Sequence, residues 1–314
     1  MDWDELQVEM DVCDVQKSLL MPLDVTTACG GHFGTNDQIA MLVAAHPDRL
    51  WGFASVDPQV SGAADELERA FTELGAKGLC LHPAKQGFAP DDAVAEPLYE
   101  LCERYNKPVV FHAGMSWEPG AELSRSNPLA FEHTIATHPN VRFSLTHFGW
   151  PWVRETVAML LKYPNCYTDT SITYIDSPEE MMQRLFTVDM GPLWYERALS
   201  HQVMFASNTP RFRAFKLKRA LDTVPMRDDA RERLYWVMPC VFLKGMSKHG
   251  DARDIELSID CSGPVHRYYR RRARCHRTQL GDQWLGSDYF VAYDLWNRGK
   301  RGTALRGDGS YGDA

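Results

Sequence analysis

The sequence predicts an α/β fold, a TIM-type (β/α)8 barrel that lacks its first strand and ends in an irregular C-terminal tail. Three observations carry this. Short β-branched and aromatic runs alternate with amphipathic helical stretches between residues 14 and 245, at roughly 25–35 residues per unit, the rhythm of parallel βαβ units. Several runs are apolar on both faces, SLLM and PVVF among them, as expected of parallel strands covered by helices. Polar residues capable of chemistry close several of these runs.

Taken in order, Val15–Leu23 (VQKSLLMPL) reads as the first strand, and Asn36–His46 as a helix stopped by Pro47 and Asp48. Leu50–Val56 (LWGFASV) is the next strand, followed by a helix over Ala63–Leu74 that Gly75 ends. Further strands are expected at Gly78–His82, Pro108–His112, Val141–His147, Asn165–Thr170 and Val203–Ser207. Helices near Ala95–Tyr105, Leu129–Thr137, Val153–Leu161 and Phe215–Leu221 separate them. A closed barrel needs eight strands, and the sequence supplies about seven. The rhythm alone also suits an open doubly wound sheet; the polar residues favour the barrel. His112 closes PVVF, His147 closes RFSLT, Asp169 follows NCYT and Asn208 follows VMFAS. In (β/α)8 enzymes the C-terminal strand ends form the active-site rim.

From about Gly250 the rhythm stops, which divides the chain into a barrel domain, 1–249, and a basic, Gly- and Arg-rich extension, 250–314, expected to be partly disordered. The extension carries a net charge of +2 against −10 for the rest. Its run Arg270–Arg277 (RRRARCHR) reads as a solvated face, and Tyr289–Trp296 (YFVAYDLW) as a strand that could fill the barrel's gap, with Phe290, Ala292 and Asp294 alternating with its other face. Apolar residues make up 44% and the net charge is −8, so a soluble globular chain is expected and nucleic acid is not a partner. No apolar run approaches the roughly 18–20 residues that cross a bilayer, so no membrane partner is expected. The acidic start MDWDELQVEMD has no leader character, which points to the cytoplasm. The eight cysteines form no CxxC pair and read as buried thiols rather than a disulfide framework.

The segment His147–Ser171, HFGWPWVRETVAMLLKYPNCYTDTS, resembles the amidohydrolase-related (amidohydrolase 2) family, which includes aromatic-acid decarboxylases and α-amino-β-carboxymuconate-ε-semialdehyde decarboxylase. HPDRLWGFASVDP (46–58), GAKGLCLHPAKQGFAPDD (75–92), PVVFHAG (108–114) and VMFASNTPRF (203–212) agree with it in order and spacing. The resemblance implies metal-dependent hydrolysis or non-oxidative decarboxylation of a small carboxylated aromatic or cyclic substrate. It also implies a divalent metal, usually zinc, and allows a homo-oligomer. By the same resemblance His112 is a metal ligand, His147 orients substrate or activates water, and Asn208 stands in the place of an aspartate that binds metal and moves a proton. His82 matches no ligand position and is expected at the rim or in packing, while Asp169 is expected to brace a loop. Trp150 and Trp152 are candidate walls of an aromatic-acid pocket.

Two departures stand out. The family's first strand carries His-x-His, and no such pair occurs in this sequence. Asn208 can coordinate weakly through its amide oxygen but cannot take a proton as a carboxylate does. The alternative to an enzyme is therefore a catalytically impaired, metal-deficient barrel acting as a scaffold. Pro239, in LYWVMPCVFLKG, is expected to disturb the last helix of the domain.

Overall fold

The computed structural model describes residues 2–171, 176–191 and 193–244, together with the backbone of Leu295 and Trp296. Its strands are β1 (Val15–Leu20), β2 (Leu23–Val25), β3 (Gly31–Phe33), β4 (Leu50–Gly52), β5 (Leu79–Leu81), β6 (Val109–Phe111), β7 (Phe143–Leu145), β8 (Cys166–Asp169), β9 (Val203–Met204) and β10 (Leu295–Trp296). The single strand expected over Val15–Leu23 breaks at Pro22, which has no N–H for a ladder. The chain beyond it forms a small antiparallel hairpin, β2 against β3.

Seven strands run parallel and in chain order around the molecule: β1 beside β4, and β5 through β9 in one continuous sheet. A parallel bridge from Ala54 to Leu79 joins the two groups. This is the expected barrel, seven strands of an eight-strand design, and among the described residues β9 and β1 do not pair. The tail reaches that gap. β10 pairs antiparallel with the free edge of β1, Trp296 opposite Val15 and Leu295 opposite Lys17. Phe290, Ala292 and Asp294 lie outside the described residues, as does the rest of the 250–314 extension.

Period-two alternation sorts the strand residues into two cores. Leu79, Leu81, Val109, Phe111, Phe143, Leu145, Val203 and Phe205 face outward and pack with helix residues such as Leu67, Leu98, Ile135, Val157 and Leu217. Leu19, Phe53, Val110, Tyr167, Met204 and Ala206 face inward and form the barrel's own core, with Cys80 beside them. The helices match this layering. In Ala63–Thr72 the buried residues are Leu67, Ala70 and Phe71, one stripe at helical spacing.

The last described helix, Met238–Lys244, closes the barrel floor: Phe242 packs on the inner core, and Arg142, just before β7, donates to its carbonyl at 2.7 Å. Pro239 does not break this helix. It lies inside a continuous helical run, Asp228 to Lys244, directly after a π-helical turn at Arg233–Val237, and a local widening of this kind accommodates a residue without an N–H. Six cysteines among the described residues are free thiols, four of them buried, as expected.

Candidate active site

Inward parity, continued one step past the strands, delivers the polar residues. Cys80 leads to His82, Val110 to His112, Tyr167 to Asp169, and Ala206 to Asn208. Each lands at the C-terminal mouth of the barrel. His147 is the exception, since parity from Ser144 selects Thr146. Backbone φ at His147 is +61°, followed by +51° at Phe148 and +58° at Gly149. This left-handed stretch brings His147 into the same cleft as Thr146. Asn208 is also left-handed, at φ +58°. His and Asn are among the side-chain-bearing residues most often found there, at a cost of roughly 1–3 kcal/mol that surrounding structure must offset.

The cleft holds about 560 Å³ of empty space, part of it open to solvent. His82, His112, His147 and Asn208 form its polar floor, Met21, Pro22, Leu23, Val110 and Met115 its apolar walls, and Trp117 and Arg211 its mouth. The three sequence-predicted residues, His112, His147 and Asn208, therefore converge. The His82 ring stacks on His112 with centroids 3.7 Å apart and planes 6° from parallel, and His147 meets His112 edge-on at 5.0 Å. Trp150 and Trp152 do not line the cleft. Trp150 packs on the hydrophobic core, and its carbonyl accepts from the Met115 N–H at 2.7 Å. The aromatic wall is Trp117 instead, in the loop after β6, 53% exposed.

Hydrogen bonds assign the tautomers. His147 Nδ1 lies 3.1 Å from the Ser171 carbonyl, which can only accept, so Nδ1 carries the proton and Nε2 keeps its lone pair. Nδ1 is also 2.6 Å from Ser171 Oγ, and that hydroxyl donates onward to Asp169 Oδ1. The same carboxylate oxygen accepts from the backbone N–H of His147 at 3.1 Å and of Ser171 at 3.0 Å. Asp169 thus braces the His147 loop, as expected, and through Ser171 it orients the ring as well. Ser171 was not foreseen; its signal is the Asp-x-Ser spacing, which puts both residues on one face of a strand end. At His82 the order is reversed. Nδ1 accepts from the Lys85 N–H at 3.2 Å, so its proton sits on Nε2.

Burial pushes all three rings toward the neutral form. It lowers the His82 pKa to about 3. His112 falls well below the usual value, through burial and then the neighbouring His82 and His147. His147 is lowered by burial too, with Asp169 pulling the other way. On the floor, the buried His112 Nδ1 and Asn208 Oδ1 have no hydrogen-bond partner among the described residues. A buried unmade hydrogen bond costs roughly 1–3 kcal/mol, so water or a bound ligand is expected to satisfy these atoms.

A resident metal does not fit this donor set. Among the described residues no three His, Cys, Asp or Glu side chains are placed to hold an ion. His82 presents a protonated nitrogen, and Asn208 contributes a neutral amide oxygen where a carboxylate would bind. That leaves two or three neutral donors, whereas a catalytic zinc site takes three strong ones plus water.

A model of the amidohydrolase family matches residues 4–237. Gamma-resorcylate decarboxylase of Rhodococcus jostii is 26% identical over 195 residues, which cover 47% of this chain and 59% of that protein. 2-Amino-3-carboxymuconate-6-semialdehyde decarboxylase of Dictyostelium discoideum is 33% identical over 84 residues, 26% of this chain and 23% of that protein. The chain thus spans less than two thirds of the curated relatives it matches. Among solved structures, a TIM-barrel protein of Bordetella bronchiseptica superposes with a TM-score of 0.65 at 19% identity, covering 77% of this chain and 82% of that one. A dihydroxybenzoic acid decarboxylase of Polaromonas, with bound manganese and 2-nitroresorcinol, gives 0.57 at 17% identity, over 79% and 88%. These two likenesses speak to the fold. The match over most of the chain, on a parallel barrel whose polar residues meet at its C-terminal mouth, establishes that the chain belongs to the amidohydrolase family.

Proposed function

We propose that this chain is a cytoplasmic enzyme of the hydrolase or carboxy-lyase type acting on a small carboxylated aromatic or cyclic substrate. The observation that carries the reading is the Asp169–Ser171–His147 arrangement. It fixes one tautomer of a buried, neutral imidazole at the cleft floor and leaves Nε2 as a base. Such a base can take the proton of a water attacking a carbonyl, or pass a proton to a ring carbon once charged, with a typical contribution of about 10²–10⁴-fold. Asn208, beside it, offers its unpaired Oδ1 to a substrate hydroxyl and its amide N–H to developing oxygen charge. The decarboxylase activities of the curated relatives support the carboxylated substrate class.

The family resemblance implies a divalent ion, zinc in the sequence reading and manganese in the Polaromonas relative. His112 and Asn208 are the side chains we propose would touch it. As two neutral donors they suit a weakly held ion, and no step above passes through it. The incomplete donor set also favours one second reading, an inactive barrel that serves as a scaffold.

A turnover screen of hydroxybenzoates and small lactones separates the two, run on metal-free protein and with added zinc or manganese. We expect turnover of at least one carboxylated substrate, reduced about 100-fold or more by His147→Ala. Equal rates in wild type and His147→Ala would remove His147 from the mechanism. No turnover under any metal condition would leave the scaffold reading standing.

A further inference from the structure

Among the described residues that line the cleft, Arg211 is the one lysine, arginine, aspartate or glutamate. It has no carboxylate partner among the described residues. Its neighbours in space and sequence differ: Arg213 pairs with Glu9 at 2.9 Å, and Lys85 with Glu118 at 2.9 Å. The Arg211 guanidinium lies 5.9 Å from the Trp117 ring centroid and 5.7 Å from that of Phe212. Arg211 and Trp117 are both exposed, so a cation and an aromatic face stand together at the mouth, above an apolar wall and a polar floor of imidazoles and an amide.

This distribution orients an acid. A carboxylate driven to the floor would meet imidazole rings and an amide, with no lysine or arginine there to offset its desolvation. At the mouth it meets a planar guanidinium that can grip both oxygens, and the attached ring finds Trp117 and the apolar walls. We propose that Arg211 is the anion anchor of the cleft: it holds a spectator carboxylate of a planar acid at the mouth, stacked beside Trp117, so that the opposite end of the molecule reaches His147 and Asn208. The inference rests on the enzyme reading above and narrows it. The bond that changes is not the one to the anchored carboxylate, so the substrate class becomes a planar acid carrying a second reactive group, either another carboxylate or a cyclic ester.

The test is equilibrium titration of the full chain with benzoate and with benzamide, its neutral isostere, on wild type, Arg211→Met and Arg211→Lys. Wild type is expected to bind benzoate at least about tenfold tighter than benzamide, and rising salt should weaken benzoate alone. Arg211→Met should erase the preference while leaving benzamide affinity unchanged, and Arg211→Lys should keep part of it. Because salt dependence is read on wild type, the outcome does not depend on how well a variant folds. Undetectable benzoate binding, equal affinity for the two probes, or an Arg211→Met variant that keeps the benzoate preference would each overturn the anchor. Turnover in the screen above with no Arg211-dependent binding sinks the anchor and leaves the enzyme; Arg211-dependent binding without turnover does the reverse.

Discussion

Asn208 shows how one atom can decide a site's chemistry. Its backbone, at φ +58°, suits Asn and Asp about equally, and its Oδ1, like His112 Nδ1 in the same cleft, is buried without a hydrogen-bond partner among the described residues. Asn208→Asp would place a charged oxygen there with little backbone cost. Without metal that carboxylate lacks a counter-ion, so the variant should be less stable; added zinc or manganese should restore it. We expect metal affinity to rise at least about tenfold, near 1.4 kcal/mol, in competition with a chromophoric chelator. Unchanged affinity would mean that these two atoms do not share one ion-binding space. His112, His147 and Asn208 were legible in the sequence because each follows a β-run within a recognisable segment. Ser171 and Arg211 were not. A serine is common at strand ends, and an arginine in a loop signals nothing until its neighbours show that it lacks an acidic partner.

At the scale of elements, alternation explains most of the rim and a few left-handed residues explain the rest. Period two carries the inward register of β5, β6, β8 and β9 out to His82, His112, Asp169 and Asn208, so these positions could be read from the strand pattern. The turn that redirects His147 could not, because φ sign at a non-glycine residue leaves no pattern in one sequence. Gly114 shows the same dependence on the third dimension. It lies at φ +87° in the loop after β6, where a Cβ would come within 2.5 Å of the Trp150 carbonyl and 2.8 Å of the Gly149 carbonyl carbon. The neighbouring Met115 N–H bonds to that same Trp150 oxygen, so the His112 and His147 loops are locked backbone to backbone. Gly114→Ala meets both a strained φ and an unyielding neighbour, and should cost about 3 kcal/mol or more. At roughly 2–4 °C per kcal/mol for a chain of this size, the melting midpoint should fall by about 6–12 °C. Gly120→Ala, with nothing within 4 Å of its added Cβ, is the control and should melt as wild type. Equal midpoints for the two variants would show that the loops are not coupled at Gly114.

For the whole molecule, the main consequence is that a chain of net charge −8 keeps a cluster of neutral histidines inside its barrel mouth. The rhythm of the sequence foretold the barrel but not this, since burial of a ring depends on which neighbours close over it. The native values lie below the unfolded one, at about 3 for His82 and well below 6.5 for His112. Below pH 6.5 the unfolded chain therefore takes up protons that the folded chain refuses. Stability is fully present above pH 6.5 and drains away as pH falls toward the native values. A fully refused proton costs about 1.4 kcal/mol per pH unit; the unfolded ring is half protonated at pH 6.5, so His82 costs about 1.6 kcal/mol between pH 6.5 and pH 5, and His112 adds in the same direction. Urea unfolding of the metal-free chain across that range should show this slope. His82→Gln combined with His112→Gln should lower stability at neutral pH yet flatten the pH dependence, because the replacement amides do not titrate. The flattening distinguishes titration from a merely weakened fold, which would shift the whole curve without changing its slope. Parallel pH profiles for the two proteins, or a wild-type profile level from pH 6.5 to pH 5, would show that the mouth of the barrel opens to protons without unfolding.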